Sequence, residues 1–416
     1  MSQALAIINI GQLVTLSGPP RPRVGRELSE LAIVPNAALL IEDDHIAAVG
    51  SYADLKPQIP SHAAILDAQN RCITPGFIDA HTHLVFSGNR AAEYEQRIAG
   101  ATYQEIAASG GGILSTVRQT RAASEDDLLA FARKHRNWML RTGTTTIEAK
   151  SGYGLDLDTE LRILRVILRL HEEGPTRILP TLLAAHTVPP EFAQNRASYI
   201  RLVIDEIIPA AASQNLTRYC DVFCDDHAFT VEESRVILEA AKRHGLGLRI
   251  HAEQFRPNAG AALAAELGAA TADHLETVTE DTLKQLRASG TQPVLLPGSV
   301  FALSRTQYPP ARTMVDLGLA IVLATDFNPG SSPVASMPFI LSLACLQMRL
   351  SPAEALTAAT INAAYSLSLG AEIGSLEPGK QADLLIHEFH DYRELACFIA
   401  APAHPHVFIA GREVTA

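Results

Sequence analysis

Between residues 72 and 370, short β-branched or apolar runs alternate with helical patterns, and this alternation constrains the fold more than any other feature of the chain. Eight runs read as strands: CITPGFIDA, GTTTIEAK, RILPTLLAAH, YCDVFCDD, LGLRIHAE, AATADHLE, QPVLLPGS and AIVLATD. The segments between them carry helix punctuation. Ser124 caps SEDDLLAFARKHRNWMLR and Gly143 closes it, while Asp158 opens DTELRILRVILRL. Thr230 and Glu233 form a capping box before a run ended by Gly245; Thr279 opens TEDTLKQLRASG, and Ser351 and Glu354 make a second box. Strands alternating with helices build parallel βα units, and eight such units close a barrel. An open doubly wound sheet would carry a Gly-rich phosphate turn after its first strand, where this chain reads AHTHLVF.

The two ends have another character. The first 70 residues are short strands broken by turns such as SGPPRPRVG (17–25), and 373–388 and 406–414 are again strand-like. The expected fold is α/β: a (β/α)8 TIM-like barrel over 72–370, with a small composite β-sandwich domain formed from both termini, 1–71 plus 371–416.

Composition narrows the function classes. With 47% hydrophobic and 19% charged residues, the chain has ample apolar surface for a packed core, which excludes disorder. Lys and Arg number 34 against 45 Asp and Glu, a net charge of -11. An acidic surface repels phosphate backbones and anionic lipid, so neither nucleic acid nor a membrane is expected as partner. The five cysteines make no disulfide framework, since only Cys220 and Cys224 are close in sequence, and core packing is their expected role. There is no basic N-terminal leader and no apolar run approaching a membrane span, so a cytoplasmic location is expected.

Polar residues gather where the strands end. His81 and His83 follow directly on the first barrel strand, and residues i and i+2 of an extended segment point to one side, so both imidazoles can converge on one ion. His186, His251, His274 and Asp326 end the third, fifth, sixth and eighth strands. Taken singly, each reads as a hydrogen-bonded core histidine or a helix cap; together on the face where barrel active sites lie, they are hard to explain by packing. Imidazoles with one carboxylate suit Zn2+ or Fe2+ and leave room for a water.

Several stretches carry a family resemblance. TPGFIDAHTHLVFSGNR (74–90), HAEQ, ADHLE, LATDFNPGSS and LEPGKQADLL resemble the amidohydrolase superfamily. Three further motifs, SGGGILSTVRQTR (109–121), EAKSGYGL (148–155) and ATDFNPGS (324–331), are similar to one branch of it, whose members hydrolyse 4-imidazolone-5-propanoate to N-formimidoyl-L-glutamate in histidine degradation. The resemblance implies one divalent metal per chain, Zn2+ or Fe2+, on His81, His83, His251 and Asp326, with His274 unligated beside the metal's water. It places Arg90, Tyr153, His186, Gln254, Asn328, Gly330 and Ser331 at the substrate, and Tyr103 as a further contact.

The residue types agree with several of these roles. A propanoate needs a cation in an acidic protein, and Arg90 offers bidentate pairing. Tyr153 lies in the Gly-flanked turn SGYGL, Asn328, Gly330 and Ser331 follow Asp326, and Gly110–Gly112 form an anion cradle or a flexible loop. Many relatives carry Glu where this chain has Gln254, and an amide is no base, so base catalysis falls to His274 and Asp326. Lys150 ends the second strand, but FCDDH at the fourth holds no bridging lysine, and a single metal is expected. Amphipathic barrel helices suggest a homodimer. Three rivals remain: an aminohydrolase of a heterocycle such as guanine, a two-metal hydantoinase-like enzyme, and a non-catalytic metal- or ligand-binding barrel.

Overall fold

The computed structural model describes residues 4–101, 105, 110–225, 227–401 and 404–415. The chain opens with β1 (Ala4–Val14), β2 (Ile33–Glu42), β3 (His45–Ser51), β4 (Ala64–Asp67) and β5 (Cys72–Pro75). β1 and β2 run antiparallel with a register shift between Ile7 and Ile10, where Asn9 takes a left-handed φ of 55°. On its other edge the long β1 pairs in parallel first with β4 and then with β5.

The barrel follows: β6 (Phe77–Thr82), β7 (Thr144–Lys150), β8 (Arg177–Ala185), β9 (Tyr219–Cys224), β10 (Gly247–Ala252), β11 (Thr271–His274), β12 (Gln292–Leu295) and β13 (Val322–Leu323). These strands hydrogen-bond in sequence order, all parallel. The ring closes between its first and last members at their C-terminal ends. Asp326 N–H donates to His81 O (3.1 Å) and His83 N–H to Phe327 O (2.8 Å). Just below, the buried Asp79 carboxylate accepts from Thr325 N–H (3.0 Å) and Oγ1 (2.6 Å).

The chain then returns to the first sheet through β14 (Leu384–Ile386), β15 (His406–Ile409) and β16 (Arg412–Val414), in the order β16-β15-β14-β5-β1-β2-β3. This sheet folds back on itself: the β2–β3 hairpin meets the segment before β14 through Ile46 N–H to Lys380 O (2.8 Å) and Ala382 N–H to Asp44 O (2.9 Å). Ile7, Ile10, Leu39, Ile46, Leu384 and Phe408 fill the space between its layers. The fold is thus a (β/α)8 barrel with an added sheet built from both termini. Among the described residues, no helix is long and apolar enough to cross a membrane.

Helix starts follow the capping chemistry of the sequence in most places. Ser124 with Asp127, Thr230 with Glu233 and Ser351 with Glu354 make reciprocal capping boxes, and Thr279 caps its helix. Two details differ. Helix Leu157–Glu172 is capped by Asp156, which accepts from Thr159 N–H at 2.7 Å, and Asp158 already lies in its first turn. CITPGFIDA is also not one strand: it leaves the terminal sheet at Pro75 and enters the barrel at Phe77. Gly76 makes the transfer, donating its N–H to Asp383 O (3.0 Å), and a Cβ there would lie 2.4 Å from Thr145 Oγ1 and Cγ2. Gly76→Ala is therefore expected to lower unfolding stability by about 1–3 kcal/mol in urea titrations through overpacking. Unchanged stability would show that the two sheets tolerate a wider junction.

Candidate active site

Five of the residues singled out at strand ends meet at the C-terminal mouth of the barrel. His81 is the penultimate residue of β6 and His83 follows the strand, with ring centroids 5.4 Å apart. His251 of β10 lies 4.5 Å from the His81 ring, and His274 of β11 lies 5.8 Å from it. Asp326 Oδ1 is 3.6 Å from His81 Nε2 and 3.4 Å from His83 Nε2. All five side chains are buried. His274, the last residue of β11, and Asp326, three residues past β13, have left-handed backbones, φ 80° and 55°. Such conformations are costly for residues with a Cβ and persist where the surroundings enforce them.

The interior of the barrel sets the orientation of the rings. His81 Nδ1 donates to Asp273 (2.6 Å), and His251 Nδ1 to Asp221 (3.1 Å). Both aspartates surround the fully buried Lys150 ammonium, at 2.8 Å for Asp221 and 3.8 Å for Asp273, with Glu148 at 2.9 Å. Burial alone would discharge Lys150, but the three carboxylates outweigh it and hold its pKa above the ordinary value. With Nδ1 committed, the lone pairs of His81 and His251 lie on Nε2, and both Nε2 atoms are buried without a hydrogen-bond partner. Burial, reinforced by neighbouring cationic groups, lowers the pKa of His81, and burial likewise lowers those of His83 and His251, so these imidazoles are neutral. His274 goes the other way. Burial opposes its charge, but Glu276, 3.4 Å from Nδ1, together with Asp326 and Asp273 raises its pKa. Asp326 is pushed up by burial against the pull of His274 and His251.

The remaining predicted positions line the mouth. His186 stacks on His83 (5.1 Å, 18° between planes) and is fixed by Nδ1–H donating to Gly152 O at 3.0 Å. Tyr153 is buried, with its ring 6.0 Å from His83 and 5.5 Å from His186. Arg90 bonds Thr116 Oγ1 through Nε (3.0 Å), and its guanidinium rests on Gly330, where a Cβ would lie 2.2 Å from the nearest nitrogen. Asn328 Oδ1 accepts from the N–H groups of Gly330 (2.9 Å) and Ser331 (2.7 Å), while Nδ2 donates to Asp326 O (2.7 Å). Asn328 thus shapes the loop that leaves Asp326. Gln254 is buried beside Glu253, whose left-handed backbone (φ 57°) and buried, unpartnered Oε2 accompany a pKa raised by burial to about 7. Tyr103 lies outside the described residues. In the Gly110–Gly112 stretch, Gly112 N–H already donates to Glu93 (3.0 Å), and Arg118 holds Gly110 O. Cys220 and Cys224 are buried free thiols, in keeping with a packing role.

The sequence reading passed over Asp221, Asp273, Glu148 and Glu276. A signal was present for part of this set: Glu148 stands two residues before Lys150, as Asp79 does before His81 and Arg249 before His251, so each pair shares one strand face. Charged residues at alternate positions of otherwise apolar barrel strands mark an interior that is not simply hydrophobic.

A parallel eight-stranded barrel whose strand ends gather imidazoles and one carboxylate has the architecture of a hydrolase of the amidohydrolase class. The model of the Amidohydrolase family matches residues 72–414, and that of the imidazolonepropionase-like composite domain of bacteria matches 37–58. The chain is 56% identical over 407 residues to an imidazolonepropionase of Solibacter usitatus, covering 98% of this chain and 97% of the relative. It is 44% identical to an imidazolonepropionase of Symbiobacterium thermophilum, covering 97% and 92%. Among solved structures, a zinc-bound adenosine deaminase from Xanthomonas campestris superimposes with a TM-score of 0.73 at 18% identity, covering 99% of this chain and 92% of that one, which is a likeness of fold. The chain belongs to the imidazolonepropionase family of amidohydrolases.

That class depends on a divalent metal, and the residues fit one. The donor atoms of His81, His83 and Asp326, and those of His81, His251 and His274, each lie within 4.8 Å of one another. The orphaned Nε2 atoms of His81 and His251, backed by carboxylates on Nδ1, are what imidazole ligands require. Asp221→Asn weakens that backing, and metal affinity is expected to fall about 10–100-fold in competition with a chromophoric chelator. Undiminished affinity would remove Asp221 from this role.

Proposed function

We propose that this chain hydrolyses 4-imidazolone-5-propanoate to N-formimidoyl-L-glutamate, using one Zn2+ or Fe2+ ion held by His81, His83, His251 and Asp326. Family membership supports the reaction, and Arg90 is the observation that carries the choice of substrate. It is a cation seated on Gly330, in the loop that leaves Asp326, in a protein of net charge -11. A ring at the histidine cluster can thus present an anionic arm to a guanidinium.

The chemistry such an ion supplies when bound is Lewis acidity at the ring carbonyl and a water pKa lowered toward about 7. The chain's own residues do the rest. Asp326 takes the proton of the attacking water. Water oxygen adds to the ring carbonyl carbon, the bond from that carbon to the ring nitrogen breaks, and Asp326 returns the proton to the departing nitrogen. His274, whose pKa is raised by Glu276, steadies the negative charge that develops on the carbonyl oxygen. Arg90 and Tyr153 hold the propanoate, and His186, Gln254, Asn328, Gly330 and Ser331 border the ring, which limits it to one orientation. Gln254 orients without accepting a proton. Tyr103 completes the proposed contacts.

Three further readings are proposed with this one. The domains divide as 1–71 plus 371–416 and 72–370, a division that the two sheets support apart from β5, Cys72–Pro75, which pairs in the terminal sheet. A homodimer is supported by the exposed apolar side chains Phe301, Leu346, Phe398 and Ile399. A cytoplasmic location is supported by the free cysteines.

Loss of imidazolone ultraviolet absorbance, followed with and without chelator, tests the reaction directly. Metal-replete protein that leaves the absorbance unchanged would refute the substrate. Asp326→Ala is expected to lower kcat by about a thousandfold or more and to weaken metal retention. Arg90→Met should raise KM about 10–100-fold by removing a charge-assisted contact, with much less effect on kcat.

A further inference from the structure

The turn that carries Tyr153 is held from both sides by charged residues with no place in the chemistry above. Residues 151–155 follow β7 and are buried throughout. Glu160, fully buried in the first turn of helix Leu157–Glu172, accepts Gly152 N–H on Oε2 at 3.0 Å. On Oε1 it accepts the N–H groups of Gly154 and Leu155, each at 2.8 Å. From the opposite side, Arg121 donates through Nε to Gly154 O (2.6 Å) and through a terminal nitrogen to Leu155 O (3.2 Å). Arg121 is itself held by Asp156 (2.9 Å) and Glu191 (2.8 Å).

An anion therefore takes the donors of this turn and a cation takes its acceptors, with Tyr153 between the two glycines. The glycines are required by that closeness. A Cβ on Gly154 would lie 2.7 Å from Glu160 N, and one on Gly152, where φ is 106°, would lie 2.9 Å from His186 Nδ1. Gly152 O also fixes His186, so a shift of the turn moves both the phenol and the imidazole that border the mouth.

We propose that Glu160 and Arg121 are positioning residues for substrate binding: they lock the 151–155 turn so that Tyr153 and His186 are pre-organised for the anionic arm. The proposal rests on the substrate reading above. Pre-organisation of this kind lowers the ordering cost of binding and leaves the bond-breaking step alone, so its signature is in KM. In Glu160→Gln the side chain keeps its volume, but one of its two acceptor oxygens becomes an N–H2, which leaves at least one of the three N–H donors without an acceptor.

The test is steady-state hydrolysis of imidazolone propanoate by metal-replete wild type, Tyr153→Phe, Glu160→Gln, Arg121→Gln and the double variant Glu160→Gln with Tyr153→Phe, with metal content measured for each. Glu160→Gln and Arg121→Gln are each expected to raise KM about tenfold, with kcat within about threefold of wild type and metal content unchanged. The double variant should be no worse than the poorer of its two single variants, because the loosened turn has already lost the phenol contact that Tyr153→Phe removes. Should Glu160→Gln fail to fold, the partly exposed Arg121 carries the test. Wild-type KM in the Glu160 and Arg121 variants, equal losses of kcat and metal, or additive effects in the double variant would overturn the proposal. A raised KM in Tyr153→Phe beside an unmoved Glu160→Gln rejects the clamp alone, whereas wild type inactive on imidazolone rejects the substrate reading and the clamp with it.

Discussion

In the interior of the barrel, Glu148, Asp221 and Asp273 converge on the ammonium of Lys150, and all four side chains are fully buried. Three carboxylates without that cation would face a severe desolvation penalty and mutual repulsion. With it, Asp221 and Asp273 serve as anionic acceptors for the Nδ1–H groups of His251 and His81. One charge thereby links side chains from β6, β7, β9, β10 and β11 and determines which nitrogen of each ring faces the mouth. The arrangement is polar where most barrel interiors are apolar, and its members fix one another, which is the condition under which a buried network specifies a single geometry.

Much of this architecture is legible in the chain, for physical reasons. Parallel strands buried on both faces must be short and apolar, and the helices between them need caps, so the eight-fold alternation survives in the sequence. The gathering of His81, His83, His251, His274 and Asp326 is legible too, because each stands at or just past the end of an apolar run and all parallel strands end on one side. The split at Gly76 is not, because a strand that changes sheets keeps its apolar character on both sides of the break. Asp156 and Asp158 are both good caps, and the choice between them depends on the turn at Leu155, where φ is 56°.

The supporting carboxylates were hidden for a different reason. Asp273 stands 192 residues from the histidine it orients and Asp221 stands 30 from its own, so no local spacing couples them. Asp273 on β11 reaches His81 on β6 across the closed barrel, whereas Asp221 reaches His251 from the adjacent strand β9. The loop after Asp326 shows how two readings of one residue coexist. Asn328 accepts the N–H groups of Gly330 and Ser331, as a turn-former would, and the same bonds seat Gly330 beneath Arg90.

The seam between β6 and the segment after β13 bears on how the chain matures. Residues 79–83 and 325–327 are joined by backbone bonds and by the Asp79–Thr325 pair, 246 positions apart in sequence. During synthesis, the first two imidazoles leave the ribosome long before Asp326 exists, and β5 waits still longer for β14. A nascent chain therefore carries an unfinished ring with open strand edges, a state prone to misassociation. Capture of the metal by the full donor set is accordingly a late event in biogenesis, because Asp326 is the last of its donors to be made.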